Sequence, residues 1–368
     1  MKSLHDFIGT LINQRKAFVC YRLPGTNEPE LLVNGQFSEV SAENSGDCKD
    51  GFIIAPFNIA GSVPVLFYSG GDQLTGWNVI DDNQADQTVV FESRAAIPNP
   101  PCITRDEYLL KATGLIKLLR DGKLKKIVLS RVVCQPLSLK FAPGAFFRTL
   151  CLNYPNAFVY IFGNTHGLCW VGATPETLLE VENHRGYTMA LAGTRAADQG
   201  LNQEKNWTSK EIEEQELVSA YIRKKLSEVG LADFEEAPLE SRVAGPVVHL
   251  LKRFRFELPQ GSTPLNLALR LHPTPAVCGL PQTDALQQIT LTETHDRMYY
   301  GGFLGPVYPA GNARLFVNLR CMQLGNKIAY IFAGGGLLSG SDPENEWNET
   351  QAKAETLLSV IRKQNLGE

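Results

Sequence analysis

Two glutamate pairs with the same spacing point to a site for a hard cation. Glu211 and Glu214 lie three residues apart in a helical segment predicted over 210–229, and Glu346 and Glu349 repeat that spacing in another over 343–363. At 100° per residue, Glu211 and Glu214 share a side with Val218, Tyr221, Ile222 and Val229, the apolar face of their segment. Glu213 and Glu216 fall on the opposite side, where carboxylates ordinarily sit. Glu346 and Glu349 likewise share a face with Leu357, Val360 and Ile361, while Glu344 and Glu355 point away. Burying unpaired charge is expensive. Four inward carboxylates therefore call for a cation, and oxygen-only donors select a hard one of the magnesium kind. The alternative is local: Glu211 completes a capping box with Thr208, and the helix dipole favours acids in any first turn. One such pair alone reads as a helix start; the recurrence of the geometry points to metal.

Several further elements must position these acids. Asp342 suits an N-cap and Pro343 a first helical position. Thr104-Arg-Asp-Glu107 is a capping box, after which Tyr108, Leu109, Ala112, Leu115, Ile116 and Leu119 recur at helical spacing until Gly122. Residues 126–133 read as a strand. The runs 157–162 and 168–171 flank Asn164-Thr-His-Gly167 as a hairpin, and 314–324 with 327–333 form another around Gly325-Asn326. Hairpins imply antiparallel sheets, so the class is α+β with helices packed on antiparallel sheets. Residues 1–18 read as an amphipathic helix with a polar face. The remainder up to about 100 reads as an antiparallel meander, with apolar runs at 52–55, 63–68 and 89–91. Pro98, Pro100 and Pro101 mark a short connection that is the best internal boundary.

Of the 368 residues, 43% are hydrophobic and 20% charged, ample material for a core. A net charge of -4 and a pI near 6.0 argue against a nucleic-acid binder. No segment reaches the ~18 uninterrupted apolar residues that a membrane span needs, and the N-terminus has no long apolar run with a cleavage site, so a cytoplasmic protein is expected. The eight cysteines show no C-x-x-C pair, which suggests neither zinc nor a disulfide framework. Cys134, Cys169 and Cys321 fall in apolar strand patterns, as small hydrophobes do.

The segment Gly334-Gly-Gly-Leu-Leu-Ser-Gly-Ser-Asp-Pro-Glu-Asn-Glu-Trp-Asn-Glu-Thr350 closely resembles the C-terminal signature of the chorismate-utilising enzymes, among them isochorismate, salicylate, anthranilate and aminodeoxychorismate synthases. Further matches follow in order: Lys126-Ile-Val-Leu-Ser-Arg131, Ala173-Thr-Pro-Glu-Thr-Leu178, Leu191-Ala-Gly-Thr-Arg195, Ser209-Lys-Glu-Ile-Glu-Glu214, Leu271-His-Pro-Thr-Pro-Ala-Val277, Asp296-Arg-Met-Tyr-Tyr-Gly301 and Asn318-Leu-Arg320. Together they span residues 104–360, and so many ordered matches are specific in a way one motif is not. The resemblance implies one large domain over residues 1–368, with two antiparallel sheets packed face to face and helices outside. It implies that Glu214 and Glu349 ligate Mg²⁺ directly, that Glu211 and Glu346 act through water, and that the ion holds the ring carboxylate of chorismate. The chain departs from the pattern at Glu211, where relatives usually carry Asp, and at Gln215, where they usually carry His.

The resemblance also implies a base and an acid, Lys126 and Glu176, for adding water at one ring carbon while hydroxide leaves another. Lys126 must be neutral and Glu176 protonated for these roles, which requires displaced pKa values. Without the resemblance, each would read as a solvated lysine and a surface loop acid. Arg320 with Tyr300 resembles the clamp for the enolpyruvyl carboxylate, a planar guanidinium suiting a carboxylate. Arg320 reads as sharing a strand face with Phe316 and Met322. Gly334, Gly335 and Gly336 allow close backbone approach to an anion, and Gly193, Thr194 and His272 fall in segments that contact substrate in relatives. Ala192 stands where aminodeoxychorismate synthases carry a lysine nucleophile, and 272–277 resembles isochorismate synthases. The subtype implied is an isochorismate synthase working without a glutaminase partner, with salicylate synthase the nearest alternative. As an isolated feature, His272 reads equally as a core histidine beside a turn.

Overall fold

The computed structural model describes residues 2–41, 48–79, 99–196, 207–244, 247–259 and 261–366. Its strands show why so many apolar runs lack a polar alternate. Every residue of Phe18–Arg22 is buried, yet the two parities meet different cores. Phe18 and Cys20 pack with Leu4, Ile8 and Phe147, whereas Val19 and Tyr21 face Phe52, Ile54 and Tyr160. Side chains alternate across a strand, so a strand buried on both parities belongs to a sheet covered on both faces.

Two large antiparallel sheets meet this requirement, with helices packed outside. One has nine strands, in the order Gly279–Leu280, Lys126–Pro136, Ile328–Leu337, Cys321–Gly325, Cys169–Thr174, Phe158–Gly163, Phe18–Arg22, Glu30–Val33 and Asp72–Thr75. The other runs from Phe234–Glu236 through Val247–Glu257, Arg185–Ala196, Thr177–Glu182, Asn312–Val317, Phe303–Tyr308, Gly51–Ala55 and Val65–Ser69 to Gln36–Val40, and Glu240–Ala244 also pairs with Val247–Glu257. Aromatic rings from both fill a shared core, with Phe158 stacked on Phe316 at 4.1 Å between centroids. Truncating such a ring to Ala typically costs about 3–5 kcal/mol.

The helices form where the pattern places them. Arg105–Arg120 starts at the Thr104/Glu107 capping box, and Ser209–Glu228 starts at Thr208. Pro343–Leu366 starts at Asp342, whose Oδ1 accepts from the Asn345 N–H at 3.0 Å.

Four expectations need correction. The strands before residue 80 do not form one meander: Phe18–Arg22, Glu30–Val33 and Asp72–Thr75 join one large sheet, while Gln36–Val40, Gly51–Ala55 and Val65–Ser69 join the other. Period-two patterning is the same in either sheet, so partner choice is decided by packing. The predicted N-terminal helix is shorter, Leu4–Asn13, and Phe18 begins a strand. The segment 314–324 is not one strand: Asn312–Val317 ends in one sheet and Cys321–Gly325 begins in the other, with Arg320 in the crossing at φ 47°. Asn318 anchors that crossing, accepting from Tyr160 Oη at 2.6 Å and donating to the Tyr299 carbonyl at 2.8 Å. Finally, Cys102 and Cys134 form a disulfide, which no spacing motif announces because its partners lie 32 residues apart in sequence. Cys169 and Cys321 are buried and not disulfide-bonded. The expected strand at 89–91 and Pro98 lie outside the described residues.

Candidate active site

The site forms where the chain changes sheets twice, side by side. Thr174 ends a strand in the first sheet and Thr177 begins one in the second, leaving Pro175-Glu176 in the gap. The returning crossing, Asn318-Leu-Arg320, runs beside it: Thr174 Oγ1 donates to the Val317 carbonyl at 2.6 Å, and the Ala173 N–H donates to the Arg320 carbonyl at 3.0 Å. Each crossing opens the gap between sheets and leaves its side chains facing a common cleft. Glu176, Thr194, Glu214, His249, Tyr300, Arg320, Gly334, Gly336 and Lys353 line it, with Val128, Leu191, Ala192, Leu319 and Phe332 as apolar wall.

Lys126 is wholly buried behind the cleft lining, against Glu214 and Gly336. Its Nζ is 2.9 Å from Glu214 Oε1, but the geometry leaves Nζ without a directed hydrogen bond. The neighbouring Lys125, in the bend just before the strand, is exposed to solvent. Gly336 packs close to the Lys126 and Glu214 side chains, a Cβ there falling 2.3 Å from Glu214 Oε1 and 3.2 Å from the Lys126 Cε. Glu176 is 3% exposed. Burial pushes its carboxyl up to about 8, although the charges of Lys126 and Lys353 pull in the other direction.

The acids of the two helices converge in part. Burial raises Glu214, but the Lys126, Lys353 and Lys210 ammoniums outweigh it and hold the carboxyl below its ordinary range. Glu346 is buried, bonded through Oε1 to Lys210 Nζ at 2.5 Å and Ser341 Oγ at 2.7 Å, while its Oε2 has no partner. Burial and the adjacent Glu349 charge push Glu346 up to about 7. Glu349 pairs with Lys353 at 2.6 Å. Gly335 packs against this group, a Cβ there falling 3.1 Å from Glu346 Oε2. Glu211 does not join: its Oε2 turns back to accept from the Thr208 N–H at 2.7 Å and Thr208 Oγ1 at 3.0 Å, the local role that the capping box offered. Among the described residues no three His, Cys, Asp or Glu side chains gather as a ready metal cage, each converged acid taking a lysine instead.

The other end of the cleft is cationic. Arg320 donates to His249 Nε2 at 3.4 Å and to the Lys353 carbonyl at 3.2 Å, and burial lowers its guanidinium to about 10. Burial, then Arg320, Lys353 and Arg242, drive His249 well below the ordinary histidine value. The neutral ring accepting at Nε2 leaves its proton on Nδ1, which faces Thr194 Oγ1 at 3.1 Å. Tyr300 stacks on Phe332 and reaches toward Gly334, whose added Cβ would fall 2.7 Å from Tyr300 Oη.

Of the predicted positions, Lys126, Gly193, Glu211, His272, Gly335, Glu346 and Glu349 are not among the residues that line the cleft. Gly193, at φ 68°, makes the bulge in the strand Arg185–Ala196 and lies beneath the Glu214 helix, where a Cβ would come within 2.9 Å of the Glu211 carbonyl oxygen. His272 is buried in the core, its Nε2 at 2.9 Å from the Phe57 carbonyl and 3.1 Å from that of Pro56. Sequence reasoning missed His249, Lys353 and Lys210. His249 interrupts an apolar strand run, a usable signal; Lys353 follows Glu349 by four residues on its inward face, and lysines there ordinarily read as solvated.

Residues 75–362 match the family model described as chorismate binding enzyme. The chain is 29% identical over 282 residues to isochorismate synthase EntC of Escherichia coli, covering 75% of this chain and 71% of that one. It is 30% identical over 267 residues to anthranilate synthase component 1 of Lactococcus lactis, covering 69% of this chain and 56% of that one. The crystal structure of a putative 2,3-dihydroxybenzoate-specific isochorismate synthase, DhbC from Bacillus anthracis, superposes with a TM-score of 0.79 at 21% identity, covering 96% of this chain and 99% of that one.

Proposed function

The chain belongs to the chorismate-binding enzymes, and from that premise we propose that it is an isochorismate synthase. The observation that carries the reading is the buried pair Lys126 and Glu176 at a cleft where an alanine, not a lysine, stands at the position of the aminodeoxychorismate synthases' nucleophile. Ala192 occupies that wall, among Leu191, Leu319 and Val128. A carboxyl raised to about 8 stays protonated at neutral pH and is ready to donate. Glu176 gives its proton to the departing ring hydroxyl, which leaves as water. Lys126 Nζ, which acts in its neutral form, takes a proton from the water that adds, and the two conjugated ring double bonds shift together as the hydroxyl leaves. The net change is an isomerisation, with one water in and one water out.

The cationic end suits the carboxylate of the enolpyruvyl arm. Arg320 presents a planar guanidinium fixed by His249, and Tyr300 Oη lies beside the Gly334 backbone. At the other end, the oxygen-only donor set and the orphaned Glu346 Oε2 beside Glu349 fit a hard divalent cation. Glu214 and Glu349 would hold Mg²⁺, with Glu346 supporting them. When bound, the ion supplies positive charge for the ring carboxylate.

Incubating the purified protein with chorismate and Mg²⁺ and following the products by NMR tests the reading. Isochorismate should form without ammonia or glutamine. Stoichiometric pyruvate with salicylate would move the assignment to salicylate synthase, and an ammonia-dependent product would move it to the aminating branch.

A further inference from the structure

A second cleft of about 820 Å³ adjoins the first, sharing Pro175 and Arg320 with it, and is walled by Tyr154, Asn156, Thr356 and Arg242. No Asp or Glu among the described residues lines it. We propose that Arg242, at the mouth of this outer cleft, captures the carboxylate-bearing substrate and delivers it to Arg320. This rests on the reading of the inner cleft as a site for chorismate, a small dicarboxylate.

Arg242 differs from the arginines around it. On the same sheet and its flanking helix, Arg253 pairs with Glu240, Arg255 with Glu235, Arg314 with Glu180 and Arg223 with Glu236. Arg242 takes no carboxylate within ion-pair distance among the described residues. Its guanidinium reaches only Met189 Sδ at 3.9 Å and the Asn156 carbonyl at 3.5 Å, both at the limit of a hydrogen bond. A half-buried guanidinium with no carboxylate in ion-pair contact is available to an anion from outside.

Its position connects the mouth to the site. Arg242 stands directly opposite His249 in the strand pairing, and His249 in turn accepts from Arg320 at 3.4 Å. Two guanidiniums therefore flank one neutral imidazole, leading from an outer cleft that no Asp or Glu lines among the described residues toward the inner one. Such a lining focuses the field on an incoming anion and raises the rate of capture, an effect that salt suppresses.

The test measures chorismate affinity by titration calorimetry, together with kcat and kcat/KM, across an ionic-strength series. The proteins compared are the wild type, Arg242→Gln, Arg242→Lys and Arg255→Gln. For Arg242→Gln at low salt, affinity and kcat/KM should fall about tenfold while kcat stays within about twofold. The deficit should shrink as salt rises, and Arg242→Lys should retain most of the capture. Arg255→Gln removes the same charge elsewhere and should match the wild type. Wild-type affinity and kcat/KM in Arg242→Gln would overturn the proposal. So would an equal loss in Arg255→Gln, which would mean a general field, or a fall in kcat that Arg242→Lys fails to restore, which would mean a structural role. If the wild type binds chorismate without converting it, the isomerase reading alone fails and the affinity series still decides Arg242. If the wild type does not bind it, both fail.

Discussion

Two buried ionic clusters share the strand Lys126–Pro136 and differ in how completely their atoms are satisfied. Around Ser130, the Glu293 carboxylate accepts from the Ser130 N–H and Oγ at 2.7 and 2.8 Å and from Arg297 Nη2 and Nε at 2.5 and 2.8 Å. Arg297 also donates to the Val277 and Val128 carbonyls at 2.7 and 2.8 Å. Burial raises Glu293, but Arg297 outweighs it and holds the carboxyl below its ordinary range. Around Lys126, four residues earlier, Nζ lacks a directed hydrogen bond, Glu346 Oε2 has no partner, and Glu176 is driven up to about 8. A closed network of this kind specifies and holds a fold, whereas an incompletely satisfied one keeps capacity for a ligand. On the proposed reading the first cluster is scaffold and the second is site.

Activity should break this comparison open most widely. Lys126→Ala and Glu176→Ala are each expected to lower kcat by about 10² to 10⁴, with far-UV circular dichroism and melting cooperativity unchanged. If either variant turned over chorismate normally, the acid and base assignment would be wrong.

Next in size is the scaffold cluster. Arg297→Ala strands the Glu293 carboxylate in the core and should cost about 3–5 kcal/mol in urea denaturation. Stability equal to wild type would show that the two clusters are not different in kind.

A third comparison uses the cation. Glu346→Gln should weaken Mg²⁺ binding, measured by titration calorimetry, by about 10- to 100-fold, as loss of a supporting group typically does. Unaltered affinity would place the ion elsewhere.

The pH dependence of stability sharpens the contrast further, because the two acids are shifted in opposite directions. Glu176 is raised from 4.5 to about 8, so its contribution is fully present below pH 4.5 and is lost as pH rises through about 8. Glu293 is lowered, so its contribution is present above pH 4.5 and is lost only in acid. Glu176→Gln should therefore melt higher than wild type at pH 8 and show no such gain at pH 4. A gain of equal size at both would exclude burial of this carboxyl as the cause.

The smallest effect belongs to Lys125→Ala, which removes an exposed lysine one residue from the base. Stability should change by no more than about 0.5 kcal/mol and kcat should be unaffected. A dead Lys125→Ala variant would mean that the strand register is shifted by one.

Several features were determined locally and so were legible in the chain. Capping boxes at Thr104 and Thr208 place helix starts because their hydrogen bonds close within four residues. The inward faces of Glu214, Glu346 and Glu349 follow from helical periodicity, whereas the burial of Lys126 does not follow from strand alternation, because residues 126–132 are buried on both parities. Glu211 shows the limit of that reasoning: periodicity assigns a face, but the competition between a local cap and a distant site is settled by which partner is in reach.

Tertiary structure decided what depends on contacts between segments far apart in sequence. Which sheet each early strand joins, the Cys102–Cys134 disulfide, the sheet crossing at 318–320 that aims Arg320, and the lysine assigned to each acid are all of this kind. None has a period or spacing, because the energy that selects it comes from desolvation and packing against residues brought near only when the two sheets close on each other.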